Sequence, residues 1–87
     1  MHYISEAEAW HYFALRAGPF APELPSFGTP LAEVWREVLT AVARNAGASD
    51  EGAEMAWDFV WSHYHGEEIT EEACSAMVAE IETMVRA

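Results

Sequence analysis

The sequence holds no lysine and only four arginines against 15 Asp and Glu, giving a formal charge of −11 over 87 residues. Binding to phosphodiester backbones or to anionic lipid needs basic surface. Direct nucleic-acid binding and membrane-surface binding are therefore not expected. A single cysteine, Cys74, excludes an internal disulfide framework and a multi-cysteine metal site, and fits a reducing, cytoplasmic location. No run approaches the roughly 20 apolar residues that cross a bilayer. The first six residues, Met1 to Glu6, carry neither the basic n-region nor the apolar stretch of a signal peptide. Phosphate loops, nucleophile–base pairs and metal-ligand spacings are also missing, so the expectation is a protein that is not an enzyme and holds no cofactor or metal.

What is present is apolar and aromatic. Hydrophobic residues make up 52% of the chain and aromatics 13%, with four Trp among them, which is too rich for a disordered acidic tail. The length allows one domain, 1–87, that buries only roughly 60–65% of its unfolded surface. Charge is spread unevenly: residues 1–44 carry five acids and three arginines, while residues 45–87 carry ten acids and only Arg86. Between Arg44 and Arg86 there is no permanently cationic side chain.

Caps and periodicity predict an all-α bundle of four helices, about 6–17, 30–46, 50–65 and 71–86. Ser5-Glu6-Ala7-Glu8 is a capping box for the first. Its core face is Ala7, Trp10, Phe13, Ala14 and Ala17, and Gly18-Pro19 stops it. Thr29 as N-cap and Pro30 at the first helical position open the second, and Gly47 in a left-handed conformation closes it. Leu31, Val34, Trp35, Val38, Leu39 and Val42 cover about 140° of that helix, an ordinary amphipathic pattern.

The third helix, capped by Ser49 or Asp50 and stopped by Gly66, is unusual. Glu51, Glu54, Asp58, Ser62 and His65 make a polar stripe of about 80°, and the remaining roughly 240° is apolar. Either this helix is central to the fold or one flank meets another molecule. The fourth starts at Thr70, with Ile69 and Cys74 spaced as a hydrophobic staple. Between the first two helices lies a long Pro-rich crossover. Pro19, Pro22 and Pro25, three apart, favour an extended polyproline II course, with Phe20, Leu24 and Phe27 as anchors over the open end of the bundle.

Seven acids sit in first helical turns, where the macrodipole favours them. That accounts for their positions but not for the missing cations of the second half, whose self-repulsion is a cost. Glu51, Glu54, Asp58, Glu67, Glu68, Glu71 and Glu72 are the candidate acidic partner-binding residues, presenting carboxylates at roughly 6 Å steps, comparable to phosphates along a strand. Trp57, Trp61 and Tyr64 are the candidate aromatic contacts, Trp61 foremost as an exposed anchor. Aromatics at helical spacing are equally the mark of a core, and both readings stay open here. His63 and His65, at i and i+2, point about 200° apart on a helix and do not chelate one ion. His63 is expected to be partly buried, and Cys74 to be an inert core thiol.

The leading expectation is a non-catalytic acidic binding protein. It acts as a stoichiometric inhibitor docking on a basic protein that itself handles nucleic acid, with nucleic-acid mimicry as one form. Immunity proteins of nuclease toxins and anti-CRISPR inhibitors of bacterial and phage origin are the analogy. The alternative is a structural or assembly protein, a homodimer or a subunit joined through the third helix. A third reading is a carrier with an aromatic-lined pocket between helices.

Overall fold

Local capping chemistry sets the helix boundaries. The computed structural model describes residues 3–64 and 69–87. His2, His65, Gly66, Glu67 and Glu68 lie outside the described residues, and with them the expected end of the third helix and two of the candidate acids. The four helices are α1 (Glu6–Ala17), α2 (Leu31–Asn45), α3 (Asp50–Tyr64) and α4 (Glu71–Arg86). The all-α fold is as the periodicity predicts.

At the head of α1 the Ser5 hydroxyl accepts from the Glu8 amide at 3.1 Å and donates to the Glu8 carboxylate at 3.3 Å. The carboxylate thus receives the hydroxyl proton, where a full capping box has it accept the Ser5 amide. Ser49 Oγ accepts from Gly52 N at 3.1 Å and caps α3, and Thr70 Oγ1 accepts from Ala73 N at 3.0 Å and caps α4. The expected Thr29 cap of α2 is not formed. The Thr29 hydroxyl donates instead to the Ser26 carbonyl at 2.8 Å, closing a turn, and Pro30 takes the cap position one residue later. At the far end of α2, Ala48 N reaches Ala43 O at 3.0 Å and Gly47 N reaches Arg44 O at 2.9 Å, with Gly47 at φ 110°. That pair of bonds is a Schellman motif.

The centre of the molecule is α2. It packs against α1, α3 and α4, whereas α1 and α3 do not pack together among the described residues. Its second half, Val38 to Ala43, is buried all round. The expected amphipathic faces hold in the first half of α2, where Trp35, Val38 and Leu39 are buried and Glu33, Arg36 and Glu37 exposed; of the two alternatives for α3, the central place goes to α2 instead. α2 carries alanines and a threonine on its second flank, small enough for three helices to approach. Thr40 satisfies its hydroxyl on the carbonyls of Arg36 and Glu37 at 2.6 and 3.1 Å.

On α1 the buried face is Ala9, Trp10, Phe13 and Ala17; Ala7 is exposed, and so is Leu31 at the start of α2. The crossover begins as a 3-10 turn, Gly18–Phe20, after which Ala21 has φ −55° and ψ 127°. Its expected anchors are not anchors: Phe20, Leu24 and Phe27 all face solvent, Phe27 at 108% relative exposure. Pro22, Pro25 and Thr29 are half-buried, and the 3-10 turn packs against α2. Residues 3 and 70 form an isolated antiparallel bridge, and Ile4 N donates to Ile69 O at 3.1 Å. This ties the N-terminal segment to the head of α4.

Candidate functional site

Electrostatics on this chain begins with its four cations, since everything else is acid or neutral. Arg36 binds Glu54 across the α2–α3 seam, Arg44 binds Asp50 at 3.1 Å, and Arg86 approaches Glu82 at 3.5 Å one helical turn back. Arg16 lies over the Tyr12 ring, 4.6 Å from its centroid. Every arginine therefore has a partner within the fold. Glu54 differs from the other candidate acids in that its carboxylate is engaged in an ion pair within the fold. Glu51, Asp58, Glu71 and Glu72 are exposed, and no described arginine pairs with any of them.

The aromatic row of α3 is half-buried. Trp57 and Trp61 pack against each other with ring centroids 5.2 Å apart and planes inclined by 35°, and both join the edge of the core with Tyr64. Trp61 is thus not the exposed anchor expected of it. The exposed apolar flank of α3 lies on the other side of the acidic stripe. Met55 is 69% exposed and Phe59 46%. His63, expected to be partly buried, is exposed and stacks on the Phe59 ring at 5.2 Å. The signal for this flank was in the sequence. At 100° per residue, Met55 and Phe59 border one edge of the Glu51–Asp58 stripe and Trp57 and Trp61 the other. Helical angle alone does not say which border faces the core.

A second feature has no signal in periodicity. Because α1 and α3 do not pack together, a cleft of about 590 Å³ opens between them, with the head of α4 as a further wall. Its surface is mainly apolar, formed by Phe13 and Trp35 toward the core and by Trp61, Tyr64, Cys74 and Met77 on the α3 and α4 sides. This size falls within the roughly 300–1,000 Å³ of ligand sites. Ile69 and Cys74, the expected staple, both contribute to its wall.

Cys74 itself is buried, and burial, with the negative charge of Glu71 as a second cause, pushes its thiol from 9.0 up to about 11. A thiol so placed is a slow nucleophile at neutral pH. Among the described residues no group of three or more His, Cys, Asp or Glu side chains is placed to hold a metal ion. No helix among them is long and apolar enough to cross a membrane. No protein-family model, curated protein or solved structure matches this chain.

Proposed function

We propose that this is a non-catalytic acidic binding protein that docks stoichiometrically on a basic surface of another protein. That partner is itself one that handles nucleic acid, as in the analogous immunity proteins of nuclease toxins and anti-CRISPR inhibitors. The observation that carries the reading is the engagement of all four arginines within the fold. It leaves Glu51, Asp58, Glu71 and Glu72 at the surface with no described arginine paired to them. Exposed carboxylates of one sign destabilise a small domain by self-repulsion, and a cationic partner relieves that cost on binding while the field steers its approach. Met55 and Phe59, beside Asp58 on the same helix, supply apolar contact area of the kind that slows dissociation.

The test is capture of proteins from nuclease-treated lysate of the source cells at about 50 mM and then 500 mM salt, where the Debye lengths are roughly 14 and 4 Å. The expected result is stoichiometric capture of a basic protein that salt releases. Replacing Glu51, Asp58, Glu71 and Glu72 together with Gln or Asn should slow its association by about tenfold at the lower salt. Capture that ignores both salt and these four substitutions would sink the electrostatic reading.

The exposed Met55–Phe59 flank favours a second reading, assembly through α3 with a copy of this chain or with a larger complex. Phe59→Ser then lowers the mass in solution, and the acid-to-amide changes leave it unaltered.

A further inference from the structure

The cleft between α1, α3 and α4 is apolar within and acidic at its lip. Glu6, in the first turn of α1, is the one charged residue on its wall among the described residues. Glu71, in the first turn of α4, is close enough for its charge to act on the Cys74 thiol of the same wall. The bridge between Tyr3 and Thr70 sets these two helix heads side by side. Each helix N-terminus carries partial positive charge, but Glu6, Glu8, Glu71 and Glu72 in the two first turns outweigh it. Among the described residues no arginine or histidine lines the cleft, and its one charged side chain, Glu6, repels an anionic occupant.

We propose that the cleft receives the apolar face of a cationic amphipathic helix of the partner protein. This rests on the acidic docking reading above and names the element that docks. Charge complementarity selects a polycation: a neutral apolar molecule makes no use of the carboxylates at the lip. Backbone chemistry selects a helix over a strand. A helix satisfies its own amides and carbonyls, whereas strand addition needs a sheet edge, and the described residues offer one isolated bridge and no sheet. Met77 on the wall has the adaptable thioether that suits a groove taking side chains of several shapes. Leu31, exposed at the mouth, extends the apolar surface outward.

The experiment uses the full chain and four probes, followed by calorimetry and by the rate at which iodoacetamide alkylates Cys74. The first probe is a peptide of about 14 residues built of Leu and Lys in a helical amphipathic pattern. The second has Glu in place of Lys, the third Ser in place of Leu, and the fourth is dodecylamine. The Leu/Lys peptide is expected to bind at least about tenfold more tightly than the Lys/Ser peptide and to slow alkylation. Ala73→Trp, which fills the cleft from α4, and Leu31→Ser, at the exposed mouth where folding is not at risk, should both weaken it.

Equal binding of the Leu/Lys and Lys/Ser peptides, salt-sensitive but indifferent to Ala73→Trp and Leu31→Ser, overturns this inference while leaving acidic docking intact. Absence of binding by any cationic probe removes both. Equal binding of the Leu/Glu peptide overturns the charge argument. Protection of Cys74 by dodecylamine and not by the Leu/Lys peptide makes the cleft a small-molecule site and overturns the helix.

Discussion

Arg36 of α2 holds Glu54 of α3 with both arms of its guanidinium, Nε to Oε2 at 3.1 Å and Nη2 to Oε1 at 2.6 Å. The bond and the charge of Glu54 together keep the guanidinium pKa above its ordinary value. The pair fastens the seam between the central helix and the one that bears the acidic stripe, and it withdraws one carboxylate from that stripe. Glu54→Gln should therefore lower the thermal midpoint slightly, less so at high salt because both partners are solvent-exposed. Its effect on association with a basic partner should be smaller than that of Asp58→Asn, which in turn should leave the midpoint unmoved. Melting curves at two salt concentrations, set beside association rates of both variants, check the separation.

The crossover is exposed where an anchored strap would be buried. Phe27→Ala and Leu24→Ala should change stability by no more than about 0.5 kcal/mol, since solvent surrounds both side chains. Phe13→Ala should cost about 3–5 kcal/mol, enough to unfold much of a domain of ordinary stability. Phe13 is 2% exposed and meets the Trp35 ring edge-on at 5.8 Å. Urea titration of the three variants tests this; a large loss from Phe27→Ala would mean that the segment packs in solution.

Two glycines end helices, for different reasons. Gly18 has φ 57° and ψ −129°, a conformation open almost only to glycine. A Cβ there would also stand 3.0 Å from Asn45 Oδ1, while Asn45 Nδ2 donates to the Arg16 carbonyl at 2.9 Å. Gly18→Ala should cost about 1–3 kcal/mol in backbone strain and more through displacement of Asn45. Gly47→Ala meets nothing within 4 Å and should carry the backbone part alone. Denaturation midpoints that rank Gly47→Ala as the worse substitution would contradict this placement.

The Cys74 thiol ionises near 9.0 in the unfolded chain and about 11 in the fold. Below 9.0 both states hold the proton and stability does not depend on it. Above 9.0 the unfolded chain releases its proton while the fold retains it, so stability falls as pH rises and levels off only beyond about 11. Cys74→Ala should remove this component of the decline, visible as a shallower loss of stability between pH 8 and 10 than in the parent chain. Alkylation of the parent thiol should be slow at pH 7 to 8 and accelerate with pH.

How much of this was legible beforehand differs residue by residue. The capping residues Ser5, Ser49 and Thr70 bond as their local sequence predicts because a cap is a contact across three residues. The Schellman turn at Gly47 is local in the same sense. Thr29 failed by one position because Ser26, also local, competed for its hydroxyl. The site was less legible. Glu54 and Asp58 look alike on the stripe of α3, and what separates them is Arg36, eighteen residues before Glu54.

Composition, charge asymmetry and helical period were thus determined by the sequence itself: an acidic, four-helix chain with cations confined to its first half and its last turn. Only the tertiary structure decided that α2 lies at the centre, that Met55 and Phe59 face outward while Trp61 turns in, and that α1 and α3 stand apart to open a cleft. The physical reason is range. A cap or a turn is settled within one helical turn by bonds the segment makes with itself. Which apolar flank is buried depends on the shapes of all the helices at once, and the small residues of α2 let three helices close around it.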